Sequence, residues 1–430
     1  MISMKETKQN LEIQEAGKSK KGTLLRNRSY LLLLQGNLFS GFGDVLFSIA
    51  AGIWVYQETG STMMMSLMSS ISMAVSVLVT PLLGPYIDRK SKKTIMVSMD
   101  TQRGIALLAA GLWVWGQSLS VPVLILCAVL MALCNALFTP AATAAFALVV
   151  SRSEFMQAQS WNTGLFLLIN LSGKGISSLL ALSFGPAGLL MVNGILYLLS
   201  AVSECFITLR KTELPAPESH AFIADFKAGL QVTFGNSSLR TLLALLVLWN
   251  ILIPGLSSVL LPFLQQKGLT DEFYSLYLTC GSIGAVAGTL IPGILPVSVR
   301  DKLCSLMPMA LGCLAGIVIA LSRSPIVLCL AYLLTNLLNS VGNIIVSSAM
   351  ILGCDEALRG RFLSLQTALL TAGRLVSTLA FGFFGEFVPL AILALIGEGL
   401  CFLLYLPFLR SSSLKDFLKL GVSDEAQTLE

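Results

Sequence analysis

Asp44, Lys174, Arg374 and Glu398 stand inside segments of the sequence that are otherwise apolar. A charged side chain in the hydrocarbon of a bilayer is costly, so it faces a water-filled cavity or a partner and often binds protons, ions or a ligand. We predict that Asp44 is a proton-coupling group or binds a charged ligand, the alternative being a structural ion pair or a hydrogen bond that packs two helices together. Lys174 and Arg374 are predicted to contact an anionic or acceptor-rich part of that ligand or to pair with Asp44, whereas Glu398 is expected to pair with a buried base.

A second group of candidates is neutral and polar. Asn336, Asn339 and Asn343 are spaced three and four residues apart, which places them on one face of a helix. Such a stripe fits either a wet cavity or hydrogen bonds between helices, and the sequence leaves both open. Asn250 is a weaker candidate of the same kind. The clustered methionines are interpreted as lipid-facing filler rather than as a flexible binding surface; they are Met63, Met64, Met65, Met68 and Met73.

The elements that must position these residues are long apolar segments. Hydrophobic residues make up 55% of the 430 residues, charged residues only 12%, and the mean hydropathy is +0.81. Soluble domains carry about 25% charged residues, so lipid is the solvent for much of this chain. A helix needs about 20 apolar residues to cross a bilayer. Twelve candidates occur: 31–55, 62–85, 94–115, 121–142, 160–183, 187–209, 241–264, 273–296, 303–321, 325–350, 362–384 and 388–409.

Basic residues predict the orientation of these segments, because loops rich in Lys and Arg stay in the cytoplasm. If the N-terminus is inside, Lys267 and Arg323 are the only basic residues, of 28, in the outer loops. We therefore predict an all-α protein of the cell membrane with twelve transmembrane helices and both termini in the cytoplasm. The net charge of +5 then faces anionic lipid and does not call for nucleic acid.

The segment at residues 210–240 divides the chain into two sets of six predicted helices. Apolar residues four apart after residue 221 predict a short amphipathic helix at the membrane interface. The predicted organisation is a disordered cytoplasmic tail (1–29), an N-terminal six-helix half (30–209), a cytoplasmic linker (210–240), a C-terminal six-helix half (241–410) and a cytoplasmic tail (411–430). Paired halves of this kind are common among secondary transporters.

The loop after the second predicted helix carries the most specific motif. Gly84, Asp88, Arg89, Lys92 and Lys93 form the pattern Gly-x-x-x-Asp-Arg-x-x-Lys-Lys. The glycine allows close packing at a short turn, and the Asp and Arg can form ionic contacts that switch at the cytoplasmic mouth. The motif resembles the loop between helices 2 and 3 of the major facilitator superfamily, with Ser91 in place of its second glycine.

Further stretches resemble the macrolide-efflux and siderophore-exporter branch of that superfamily. They are Gly43-Asp44, Thr59-Gly60-Ser61, Asp100 with Arg103, Thr139-Pro140-Ala141-Ala142, Phe222 to Leu230, and Leu358-Arg359-Gly360-Arg361. The resemblance implies two pseudo-symmetric six-helix halves, and we assign Asp100 and Arg103 to the same cytoplasmic gating motif as the loop. The antiporter signature of the fifth helix is mostly absent.

The predicted function is export of a small amphipathic compound, such as a macrolide or a siderophore, by proton antiport. An uptake symporter or a lipid transporter of the same fold remains open, as does a non-transporting sensor or assembly protein. No phosphate-binding loop or catalytic motif is present in the sequence, so we expect no enzyme, no ATPase subunit and no cofactor beyond an ion gradient. The expected partners are the small-molecule substrate and the lipid bilayer, and the expected state is a monomer.

Overall fold

The computed structural model describes residues 26–116, 120–150, 154–209, 222–294, 305–354 and 358–427, and these residues form helices joined by short turns. The helices are α1 (Arg28–Thr59), α2 (Thr62–Leu78), α3 (Thr80–Arg89), α4 (Lys92–Gly116), α5 (Val121–Val149), α6 (Phe155–Cys205), α7 (Phe222–Gly235), α8 (Ser237–Leu252), α9 (Leu260–Gln266), α10 (Asp271–Ile294), α11 (Met307–Leu321), α12 (Pro325–Leu352), α13 (Arg359–Phe384), α14 (Leu390–Tyr405) and α15 (Ser412–Gln427). The all-α prediction is confirmed over this part of the chain.

Every predicted transmembrane segment overlaps one of these helices. Within the described residues, 8 helices are long and apolar enough to cross a membrane. They are Arg28–Thr59, Val121–Val149, Phe184–Cys205, Ser237–Gln266, Asp271–Pro292, Pro325–Leu352, Arg359–Phe384 and Leu390–Arg410. The helices Thr62–Leu78 and Met307–Leu321 are apolar but shorter. The count of twelve spans and the location of the termini stay predictions.

Helix α6 is bent at Gly185 into two arms that correspond to two predicted segments. Gly185 has φ 62° and ψ 178°, a backbone conformation that residues with a Cβ atom rarely adopt. Pro186 follows it and cannot donate a backbone hydrogen bond. Gly185 therefore divides α6 between the predicted segments 160–183 and 187–209.

The helices pack into a bundle with two faces. We call the side on which α1 begins the terminal face and the side on which α1 ends the distal face. At the terminal face, Tyr30 donates a hydrogen bond to the carbonyl of Ala158 at 3.2 Å. At the distal face, Lys267 donates to the carbonyls of Ala320 and Ser322 at 2.8 and 2.7 Å. The bundle thus has separate sets of contacts at its two ends.

The two ends of the bundle differ in how the helices before and after residue 210 contact each other. One apolar core contains Leu46 and Val114 from the first group together with Phe263 and Phe381 from the second. Two other cores are each confined to one group, around Leu242 in the second and around Phe146 in the first. The first of these cores joins the two groups of helices, whereas each of the other two lies within one group.

Two helices outside the candidate spans lie at the terminal face. Helix α7 packs against α13, and a Cβ atom at Gly229 would lie 2.9 Å from the Arg361 carbonyl. Helix α15 packs against α12 and buries Leu414 and Leu418. The segment 411–430, predicted as a tail, thus forms a docked helix over Ser412–Gln427.

Candidate functional site

Asp44 lies at the edge of a buried polar cluster. The Tyr197 hydroxyl donates a hydrogen bond to Asp44 Oδ1 at 2.7 Å, and Arg103 Nη1 lies 3.7 Å from the same oxygen. The Asp44 side chain remains 38% exposed, whereas the Arg103 side chain is fully buried. Tyr197 and Arg103 therefore bind the Asp44 carboxylate on one side, and its other side remains accessible.

Arg103 is the cation at the centre of this cluster. Asp100 Oδ1 lies 3.5 Å from Arg103 Nη1, and both side chains are fully buried. The guanidinium also lies over the rings of Phe138 and Tyr197, at 4.9 and 5.3 Å from their centroids. Carboxylates and aromatic faces both stabilise a buried guanidinium, so α1, α4, α5 and α6 meet around one positive charge.

The close approach of α1 to α6 depends on a glycine. A Cβ atom at Gly43 would lie 2.6 Å from Asn193 Oδ1 and 3.1 Å from the Tyr197 ring. The absence of a side chain at Gly43 lets Tyr197 reach Asp44. The same arm of α6 carries Ser200 and Glu204, so polar residues recur along it every three or four positions. This stripe of polar residues is the signal in the sequence for the cluster, and it was not part of the predicted site.

Glu204 adds a third carboxylate near Arg103. It is buried, and neither carboxylate oxygen has a hydrogen-bond partner among the described residues. Glu204 lies close enough to Asp100 and Arg103 to interact with both electrostatically. The cluster and its surroundings thus contain three carboxyl groups, from Asp44, Asp100 and Glu204, and one guanidinium.

Asp44 lines two neighbouring cavities, which also share Val45 and Asn135. One has a volume of about 520 Å³ and lies between α1, α5 and α6. The other has a volume of about 380 Å³ and lies between α1, α2 and α5, with Met68 and Met73 in its wall. The interpretation of the methionine cluster as lipid-facing filler is therefore wrong for these two residues.

A third cavity, of about 390 Å³, lies among the helices after residue 221, and we call it the C-terminal cavity. Asn250, Asn336, Asn339 and Arg374, which the sequence analysis selected, all line it. Arg374 Nε donates a hydrogen bond to Asn250 Oδ1 at 3.1 Å, and Asn250 Nδ2 donates to the Leu246 carbonyl at 2.8 Å. The structure therefore brings the four predicted residues into one cavity, where the hydrogen bond to Asn250 orients Arg374.

Glu398 lines the C-terminal cavity as well, in a setting that the sequence did not predict. It is 5% exposed, and its Oε2 atom has no hydrogen-bond partner among the described residues. The expected basic partner is absent from that part of the chain. Tyr277 and Tyr332 line the same cavity, with stacked rings whose centroids are 4.1 Å apart.

The predicted gating motif is described only in part. Gly84, Asp88 and Arg89 lie in α3, but their side chains are outside the described part of the structure, as is that of Lys174 in α6. Two further members, Lys92 and Lys93, lie in the first turn of α4. Lys92 Nζ donates a hydrogen bond to the Ile87 carbonyl at 2.6 Å, across the turn between α3 and α4. Asp100 and Arg103, assigned to the same motif, lie in the cluster around Asp44.

A comparison of the sequence with protein families supports this architecture. The profile described as Major Facilitator Superfamily matches residues 33–378. The chain belongs to the Major Facilitator Superfamily. No curated protein shows significant sequence similarity to it. This superfamily protein is a multi-pass membrane transporter and not an enzyme, and the family match leaves its substrate and its branch open.

Solved structures of other transporters show the same fold. A bacterial homologue of the human lysosomal transporter Spinster, in an inward-facing and unoccupied conformation, is 15% identical, with 95% of this chain and 98% of that chain covered and a TM-score of 0.63. The nucleoside transporter NupG is 15% identical, with coverage of 89% and 98% and a TM-score of 0.67. A D-xylose–proton symporter is 14% identical, with coverage of 90% and 98% and a TM-score of 0.65. At these identities the likeness is one of fold.

Proposed function

We propose that this Major Facilitator Superfamily protein exports a small amphipathic compound, such as a macrolide or a siderophore, across the cell membrane in exchange for protons. The observation that carries the proposal is the position of Asp44. Its carboxylate is open to two cavities and is also tied to the buried Arg103 and Tyr197. A group with both properties can exchange a proton with the cavity and transmit the change to the packing of four helices.

The coupling would work through the charge of Asp44. When Asp44 is ionised, it attracts Arg103 and accepts the hydrogen bond from Tyr197. When it takes up a proton, the attraction to Arg103 is lost and the guanidinium is left to Asp100. Because these residues lie on α1, α4 and α6, protonation would change how α1 packs, and a substrate that favours one state of Asp44 would thereby be linked to the proton.

The conformation of the bundle is consistent with loading from the terminal face. The distal face is closed by contacts between the two groups of helices, including Thr62 Oγ1 to the Gly382 carbonyl at 2.9 Å and Ser66 to Ser258 at 3.3 Å. With both termini in the cytoplasm, as the basic loops indicate, this state would face inward. Rocking of one half against the other would then alternate access, as in related transporter folds.

The remaining predicted residues receive roles in the same scheme. Arg374 with Asn250, Asn336 and Asn339 would form the wall of the pathway opposite Asp44, and Lys174 would add a cation to the side of α6. Gly84, Asp88, Arg89, Lys92 and Lys93 would lock the cytoplasmic mouth when the distal face opens. We propose that the chain acts as a monomer in the lipid bilayer and uses the ion gradient in place of a cofactor.

Inside-out vesicles with an acid interior, read by a pH-sensitive dye, would test this proposal. Addition of the exported compound, from a panel of macrolides and siderophores, should release protons from vesicles that contain the wild type. Asp44→Asn should abolish the release while leaving the amount of protein unchanged, and Glu58→Gln, an exposed position on the same helix, should behave as the wild type. Full proton release by Asp44→Asn, or no release by the wild type with any compound, would refute the assignment.

A further inference from the structure

The C-terminal cavity contains one acidic and one basic side chain that do not pair with each other. Arg374 and Glu398 both line it, yet the two side chains are not within ion-pair distance. No other charged group among the described residues pairs with either of them. An ionised side chain in a membrane protein interior is costly unless an opposite charge compensates it, so this arrangement fits a site whose counter-charges belong to a ligand.

Both side chains are held in place by the protein. Arg374 is oriented by its hydrogen bond to Asn250, which is itself anchored to the Leu246 carbonyl. Glu398 packs against Gly316 of α11, where a Cβ atom would meet its carboxyl group. The glycine therefore makes room for the carboxylate at the cavity wall. Positions set in this way are characteristic of binding sites that are formed before the ligand arrives.

The cavity also offers hydrogen-bonding groups that the protein leaves unused. The Tyr277 hydroxyl, the indole nitrogen of Trp249 and Asn339 Oδ1 are buried and have no partner among the described residues. All three residues line the cavity, beside the stacked rings of Tyr277 and Tyr332. The lining therefore provides an aromatic surface for an apolar body and donors and acceptors for polar groups on it.

We propose that the C-terminal cavity binds a zwitterionic ligand with an apolar body, whose anionic group pairs with Arg374 and whose ammonium group pairs with Glu398. The volume of about 390 Å³ is in the range of cavities that take small molecules. A ligand with a cation alone would leave Arg374 unpaired, and one with an anion alone would leave Glu398 unpaired. The inference rests on the proposed function and narrows its substrate class from small amphipathic compounds in general to those that carry both an anionic and an ammonium group.

A matched set of four probes tests the charge requirement directly. The dipeptide Trp-Leu carries an ammonium and a carboxylate at its two ends, its N-acetyl form keeps the carboxylate, its C-terminal amide keeps the ammonium, and the doubly blocked form keeps neither. Equilibrium binding to the purified full-length protein in lipid nanodiscs needs no gradient. The free dipeptide should bind most tightly, and blocking either end should weaken binding about thirtyfold, because it leaves one cavity charge unpaired.

Variants of the two residues should change this pattern selectively. In Glu398→Gln the N-acetyl form should bind as well as the free dipeptide, and in Arg374→Gln the amide should do so. Gly316→Ala, which would displace Glu398 without removing it, should reproduce the pattern of Glu398→Gln. Glu272→Gln, an exposed position at the start of α10, should leave all four affinities unchanged.

Several outcomes would overturn the inference. They are equal affinity of the wild type for the free and blocked dipeptides, an equal loss for all four probes in both variants, or no binding of any probe up to its solubility limit. These outcomes are distinct from failure of the proposed function. A protein that binds the zwitterion with the expected pattern but releases no protons would keep this site and lose the antiport assignment.

Discussion

Glu386, in the turn after α13, accepts a hydrogen bond from the backbone nitrogen of Met63 in the first turn of α2, at 2.9 Å between Oε1 and N. Ser61 Oγ donates to the same carboxylate oxygen at 2.6 Å, and Thr62 Oγ1 lies 3.3 Å from it. A carboxylate at a helix N-terminus satisfies free backbone donors and interacts favourably with the helix dipole. These four residues, the distal latch, connect the two groups of helices at the distal face.

Removal of the charge of Glu386 should loosen the distal face. Glu386→Gln keeps an acceptor oxygen but loses its interaction with the helix dipole, at a cost of about 1 kcal/mol, or about a fivefold fall in the ratio of closed to open states. In a background without native cysteines, a cysteine in place of Ser66, which is fully buried near the latch, should react correspondingly faster with a maleimide. Glu58→Gln removes a nearby exposed charge and should have no effect, and an unchanged rate in Glu386→Gln would contradict the latch.

The latch should also open at acid pH. The hydrogen bonds from Met63 and Ser61 lower the pKa of Glu386 from its ordinary value of 4.5. The ionised form therefore stabilises the closed latch fully above pH 4.5, and this contribution is lost as the pH falls through the lowered pKa. Spin labels at Gln57 and Phe387 should show a growing population of long distances only below pH 4.5. Glu386→Gln should abolish that change, and its persistence in the variant would assign it to another group.

The buried Arg103 should contribute strongly to the free energy of unfolding. Its removal would leave Asp44 and Asp100 without their cation in a buried site, which is expected to cost about 3–5 kcal/mol. Arg103→Ala should accordingly unfold at a lower temperature in detergent micelles, and Arg103→Lys should restore only part of the loss, because lysine cannot stack on Phe138 and Tyr197 as a guanidinium does. Arg323→Ala, at an exposed position, should be neutral. Wild-type stability of Arg103→Ala would exclude the buried ion cluster.

A pair of glycines sets the spacing between α4 and α6. A Cβ atom at Gly194 would lie 2.8 Å from Leu108 Cγ and 2.9 Å from the Gly104 carbonyl oxygen. Gly194→Ala should therefore destabilise the protein by about 1–3 kcal/mol through overpacking. Gly164→Ala is the matched control, since no atom lies within 4 Å of its added Cβ, and the better helix propensity of alanine should give about 0.5–1 kcal/mol of stabilisation. Thermal unfolding of both variants would show opposite shifts, and equal shifts would contradict the packing.

The sequence predicted the residues of the C-terminal cavity better than those of the Asp44 cluster. Asn336, Asn339 and Arg374 could be found because polar residues are conspicuous within apolar helices. Tyr197 and Asn193 were missed because they lie in an apolar helix in which only their spacing, and not their charge, marks them. Glu398 was found, but a basic partner was expected since nothing in the sequence shows which residues surround a side chain.

The sequence by itself determined the helices, because a chain in lipid must satisfy its backbone hydrogen bonds within each apolar segment. The length of an apolar segment and a Gly-Pro break such as Gly185-Pro186 are both visible in a short stretch of sequence. Tertiary structure alone decided which polar groups meet. Tyr197 and Asp44 are 153 residues apart, and Glu386 and Met63 are 323 residues apart. Such pairings depend on the relative rotation and spacing of whole helices, which arise from the summed packing of many small and apolar residues and leave no local pattern in the chain.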